Sequence, residues 1–132
     1  MKWFTIAELC RSNTADRLGI NNRCKQEHVT ALTALVDNVL DPLREWWGKP
    51  LIVSSGYRCP ELNAAVKGCK TSQHMTGQAA DIDTGDRQQN KLLFEYIRKN
   101  LPYDQLIWEH GGDWVHVSYR ADGKNRKRVL NL

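Results

Sequence analysis

Seven apolar residues, Val29, Leu32, Leu35, Val36, Val39, Leu40 and Leu43, recur at helical spacing, and a helix with so wide an apolar stripe has to bury it against another layer. The helix is predicted to begin after Asn21 or Asn22, with the stripe as the anchor of the core. Pro42 either kinks it or opens a second helix, with Asp41 as N-cap and Pro42 at the first helical position. Trp46 and Trp47 close the segment before Gly48 and Pro50. A chain of 132 residues can supply one ordinary domain around such a core and is too short for two. Residues 1–132 are therefore read as a single domain, with 1–24 as an N-terminal segment and 120–132 as a basic C-terminal segment.

The partner layer is predicted from short β-branched and alternating runs. Residues 51–55 read as a strand that ends at Gly56 and delivers Tyr57 and Arg58 to a loop, and Ala79–Asp83 reads as the next strand. Arg87–Asn100 carries Leu92, Leu93, Tyr96 and Ile97 on one face and is the second substantial helix, stopped by Leu101-Pro102. Residues 105–108 and 114–119 read as two strands joined by the turn residues Gly111 and Gly112, and Val129 and Leu130 as an edge strand. This order argues for an α+β domain with a mostly antiparallel sheet flanked by helices.

Composition excludes several classes. Thr5 and Glu8 interrupt the N-terminal apolar residues before a secretory core could form, so no export signal is read and the chain is expected in the cytoplasm as synthesised. No run of about twenty apolar residues occurs, so no membrane insertion is expected. The four cysteines, Cys10, Cys24, Cys59 and Cys69, contain no C-x-x-C pair and are read as free thiols in a reducing compartment. The net charge of +4 and the basic cluster Lys124, Arg126, Lys127 and Arg128 are compatible with a solvated surface or with an anionic partner. No recognition helix or zinc-finger spacing accompanies them, so no nucleic-acid partner is expected, and the chain is taken as a monomer.

Against this layout, His74, Asp81 and His116 stand out as residue types that bind zinc. Structural zinc sites are usually closed by four protein ligands, whereas three His or carboxylate ligands leave a position for water, so the set reads as a hydrolytic Zn2+ site. Alternation in 114–119 puts Trp114, His116 and Ser118 on one face of their strand, with Asp81 on the neighbouring one. Gly77 allows the tight backbone that brings His74 and Asp81 onto one ion. Asp113 lies one turn position before the strand of His116, near enough to reach a water there. Trp108 and Trp114 have two readings, core packing or a wall of the cleft. Asp83 and Asp86 read as a strand end and a helix cap, and His28 receives no role.

The segment S-x-H-x-x-G-x-A-x-D, present as Ser72, His74, Gly77, Ala79 and Asp81, and the later D-W-x-H of Asp113, Trp114 and His116 resemble the zinc D-Ala-D-Ala carboxypeptidases and related peptidoglycan peptidases. The preceding S-S-G-Y-R at 54–58 also fits. The resemblance runs from about Val29 to Tyr119 and implies a hedgehog/D-Ala-D-Ala-peptidase-like fold. It implies His74, Asp81 and His116 as zinc ligands and Asp113 as catalytic base; many relatives carry glutamate at the base position, where this chain has the shorter aspartate, and Glu109 four residues earlier is a competitor for the role. Arg58 is implied as a contact to a substrate carboxylate or to the developing oxyanion, which of the two being open. Ser72, Gln73, His110 and Trp114 are the expected contacts to substrate.

The activity implied is hydrolysis of peptide bonds in peptidoglycan stem peptides or cross-bridges, by a carboxypeptidase or endopeptidase. An endolysin-like enzyme that reaches the cell wall after holin-mediated release fits the missing export signal. Two other classes are carried alongside: a wall-binding module of the same fold without catalysis, and a basic nucleic-acid-binding protein.

Overall fold

In the computed structural model, which describes residues 1–132, a five-stranded sheet in the order β1-β2-β4-β3-β5 forms the partner layer for the apolar helix. The strands are β1 (Ile52–Ser55), β2 (Ala79–Asp83), β3 (Gln105–Glu109), β4 (Trp114–Ser118) and β5 (Arg128–Asn131). The first four pair antiparallel and β5 runs parallel to β3, so the sheet is mixed, with three antiparallel pairings and one parallel. The reason lies in the return path. After β4 the chain crosses at residues 119–127 to the free edge of β3, and this crossover sets β5 in the same direction as β3.

The helical half is one long rod with a defect. Helix α3 (Gln26–Leu35) passes through a wide π turn at Val36–Leu40 into α4 (Asp41–Trp47). Pro42 has no N–H to offer, and the ladder slips one residue just before it: the Asp41 N–H bonds Val36 O, five residues back. The helical backbone therefore runs through without restarting at Pro42. Asp41 is not an N-cap, because Leu40 before it is helical; its carboxylate instead receives the backbone N–H groups of Lys2 and Trp3.

Every member of the predicted stripe except Val29 is fully buried. Helix α6 (Arg87–Asn100), capped by the Asp86 side chain, adds Leu93 and Ile97 to this core, while Leu92 stays exposed. These helices cover one face of the sheet, where Ala80, Ile82, Leu106, Val115 and Val117 complete the cluster. Trp108 lies on this side, edge-on to Phe94, so of the two tryptophans it takes the core role. The other face of the sheet is left open for a site. No helix is long and apolar enough to cross a membrane.

Residues 1–24 form two short helices, α1 (Ile6–Cys10) and α2 (Asn13–Leu18), each capped by a hydroxyl, Thr5 and Ser12. They correct the reading of the cysteines. Cys10 and Cys24 are disulfide-bonded, and only Cys59 and Cys69 are free. Cys10 ends α1 and Cys24 lies just before α3, against which α1 packs, so the fold brings the two sulfurs together. Asn22, inside the closed loop, pins it further by donating to the carbonyls of Cys10 and Tyr57. The bond spans 14 residues, and a loop of that size is worth about 3 kcal/mol of chain entropy. The Cys10→Ser/Cys24→Ser double variant should lose about that much stability in urea unfolding. An unchanged midpoint would show that the bond does not constrain the unfolded chain.

The basic C-terminal segment is tied down through Asp104, whose side chain is fully buried. Arg126 donates to it from its backbone N–H (2.9 Å), Nε (3.1 Å) and Nη2 (2.7 Å), and Gln73 Nε2 adds a fourth contact at 2.9 Å. The Arg126 hydrogen bonds, followed by the one from Gln73, outweigh burial and draw the Asp104 carboxyl from its ordinary 3.8 down to about 2. A carboxylate depressed in the folded state stabilises above its unfolded pKa, and that contribution fades as pH falls through the folded value. The stability difference between wild type and Asp104→Asn should therefore be full at pH 5 and shrink progressively between 3.8 and about 2. Urea midpoints across that window measure it, and a difference independent of pH would refute the assignment.

Candidate metal centre and cleft

Three strands and two turns deliver the site. β1 leads through Gly56 into Tyr57 and Arg58, a 3₁₀ turn at Gln73–Thr76 carries His74, and β2 and β4 place Asp81 directly opposite His116. The two turns lock each other: the Arg58 N–H bonds His74 O at 3.0 Å, and His74 Nδ1 lies 2.7 Å from Gly56 O. A carbonyl can only accept, so Nδ1 carries the proton and Nε2 offers its lone pair. Gly77 closes the 3₁₀ turn at φ +75°, and a Cβ there would stand 2.7 Å from His28 O, so both conformation and space require glycine.

His74 Nε2 and His116 Nδ1 converge on Asp81 Oδ1, at 3.3 and 3.0 Å. The ligand atoms of these three buried residues all lie within 4.8 Å of one another. Burial alone would raise the Asp81 carboxyl, but the two histidines more than offset it and hold it well below the usual range. Two imidazoles, that of His74 with its tautomer fixed by Gly56 O, and one ionised carboxylate form a donor set that zinc takes, and the donors present fit that ion.

Arg58 is half-buried beside this cluster. Its guanidinium donates to Ser55 Oγ (3.0 Å), Asn63 Oδ1 (3.2 Å) and Asp81 Oδ2 (3.4 Å). Burial pushes its pKa down, while Asp81 and Glu109 act in the opposite sense. Asn63, itself buried, is braced by donating to Cys69 O. Arg58 thus orients a ligand through the oxygen that faces away from the histidines. Asn63, a lone polar residue in a short helix, carries no distinguishing pattern in the sequence, and Ser55 enters the sequence reading only as part of the S-S-G-Y-R run.

A cleft of about 640 Å³ opens over the cluster. Of the residues expected from the sequence, Arg58, Ser72, Gln73, His74, Asp81, Glu109, Trp114 and His116 line it, and Asp113 and His110 do not. Ser72 is also spent locally, its hydroxyl accepting from the His74 N–H. Gln73 gives its amide N–H to Asp104 and keeps Oε1 as a buried acceptor without a partner. His110 is exposed, at φ +47°, with its ring against Trp114 at 4.8 Å. It supports the cleft wall from outside.

The placement of Asp113 differs from the expectation, and strand alternation explains it. In β4, His116 and Trp114 face the cleft while Val115 faces the core, so Asp113 leaves the strand on the side of α6. There Arg87, at the start of α6, takes its carboxylate through Nε (2.8 Å) and Nη2 (2.6 Å). Buried Asn90 fastens the same turn by donating to Gly112 O. Glu109 is the opposite case. Ile107 pairs with His116 and Glu109 with Trp114, which puts the Glu109 side chain on the cleft face. The same alternation rule applied to β3 reveals this from the sequence.

Three ligands on an open cleft, a carboxylate at its wall and an oriented arginine make the layout of a metal-dependent hydrolase. Comparison with known proteins is specific about which kind. The Peptidase M15 family pattern matches residues 2–118, and the chain belongs to that family. It is also 30% identical over 125 residues to a zinc D-Ala-D-Ala carboxypeptidase of Streptomyces albus G. That match covers 92% of this chain and 47% of the relative, so the chain spans about half the length of the curated relative.

Proposed function

We propose that the protein is a zinc metallopeptidase that hydrolyses peptide bonds of peptidoglycan stem peptides or cross-bridges, as a carboxypeptidase or an endopeptidase. The convergence of His74 Nε2, Asp81 Oδ1 and His116 Nδ1 carries this reading, and family membership and the likeness to a zinc carboxypeptidase support it. His74, Asp81 and His116 would hold the zinc, which when bound would supply Lewis-acid polarisation of the scissile carbonyl and a water acidified to a pKa of about 7.

The chain's own residues supply the rest. Gly56 O fixes the His74 tautomer, and Arg58 holds Asp81 in register; its unspent N–H groups can take negative charge that develops on the carbonyl oxygen. Glu109 is the base: its carboxylate accepts the proton from the attacking water and returns it to the leaving amine nitrogen. Asp113, held by Arg87, has no part in these steps. Trp114 walls the cleft against the peptide, and Ser72 and Gln73 sit where they can meet its backbone.

The protein is proposed to act at the cell wall, after release from the cytoplasm. The Cys10–Cys24 disulfide suits that oxidising destination better than the place of synthesis. Incubating purified peptidoglycan with the zinc-loaded protein and analysing products by mass spectrometry tests the reading. Free D-alanine identifies a carboxypeptidase and larger fragments an endopeptidase, whereas intact wall with zinc bound would leave a binding module of the same fold.

A further inference from the structure

The cleft is cationic, with Arg58, Lys67, Arg126 and Arg128 against Asp81 and Glu109. Two of the four are already engaged, Arg58 with Asp81 and Arg126 with buried Asp104. Lys67 and Arg128 are exposed and take part in no ion pair. Neither is needed for metal binding, yet the fold spends structure on both.

Lys67 sits at φ +58°, in the left-handed region where the turn after α5 (Pro60–Ala65) would be served at less cost by glycine. Such strain in a residue at a ligand cleft points to a use for its side chain. Arg128 is brought to the cleft by the parallel pairing of β5 with β3, and the Arg126–Asp104 latch stands two residues before it. Arg128 pairs with Gln105, whereas Ile107, two residues on, pairs with His116. Arg128 therefore lies two strands away from His116 and two residues along, about 12 Å in all. An extended peptide advances about 3.3 Å per residue, so a group met there lies roughly three to four residues from the bond at the metal.

We infer that Lys67 and Arg128 form a subsite for a carboxylate on the substrate peptide, displaced by about three to four residues from the bond that is cut. The inference rests on the peptidase reading for the position of the cut. It makes the substrate class an acidic peptide, and it makes Arg128 and Lys67 specificity residues that leave the ligand set untouched. Both cations line the same cleft, Arg128 offering a planar fork to a carboxylate and Lys67 a point charge.

The test uses two synthetic stem peptides, one with its side-chain carboxylates free and a twin with them converted to carboxamides. Both are fluorescently labelled, and both binding and hydrolysis are measured with the zinc-loaded protein. Wild type should bind the acidic peptide roughly tenfold more tightly than its twin, as one charge-assisted contact provides. Arg128→Ala should abolish most of that preference and Arg128→Lys restore part of it. Lys67→Gly, which relieves the backbone and so folds at least as well, should also reduce it. Equal binding of the two peptides by wild type, no measurable binding of either, or a preference unchanged in Arg128→Ala would overturn the subsite. A preference that holds while neither peptide is cut would leave the subsite standing and remove the peptidase reading instead.

Discussion

Glu109→Gln is expected to keep its zinc and to lose about 10²–10⁴-fold in kcat, the usual contribution of a positioned general base. Asp113→Asn is expected to stay within a few-fold of wild type. The contrast follows from the sheet. Glu109 and Trp114 share the cleft face opposite each other, while Asp113 leaves β4 on the α6 side and is held there by Arg87. The amide in Glu109→Gln keeps the size of the side chain and removes its ability to accept a proton, so folding and metal content serve as internal controls. Steady-state hydrolysis with metal analysis on the same preparations checks both variants. Loss of activity in Asp113→Asn with Glu109→Gln unaffected would reverse the assignment, and would mean that the Arg87 pair opens when substrate binds.

His116→Ala should release the metal and cost about 10³-fold or more in hydrolysis, because polarisation of the carbonyl is worth several kcal/mol. It should also leave a visible structural trace. Asp81 is held ionised in a buried position by the two histidines, so removing one leaves a buried carboxylate short of a partner. The variant should therefore unfold at lower denaturant than wild type even when both are stripped of metal. Full zinc content in His116→Ala would show that the ion is held by other residues.

Much of this was legible in the sequence, and the failures are instructive. The apolar stripe of Leu32 to Leu43 follows from periodicity, because burial on one face of a helix leaves a period that tertiary contacts do not erase, whereas β2 and β4 are buried nearly throughout and owe less to it. The candidate ligands His74, Asp81 and His116 were legible as a group for a different reason, their residue types and spacing, and the fold brings their ligand atoms within 4.8 Å of one another. The direction of β5 was not legible, since parallel and antiparallel edge strands have the same local pattern and only the crossover path distinguishes them. The Cys10–Cys24 bond is not legible from compartment, because the packing of α1 on α3 decides it. The cleft-facing position of Glu109 is legible only through alternation in β3, the strand beside that of His116. Lys67 and Arg128 carry no local signal at all, since an exposed cation becomes meaningful only when the fold shows what it faces.

Zinc content and amine release from purified peptidoglycan, measured on one preparation before chelation, after it and after zinc is restored, test the central claim most directly. The account predicts about one zinc per chain, amine release that disappears with the metal, and recovery of both on adding zinc back. Undiminished cleavage by the metal-free protein would contradict it.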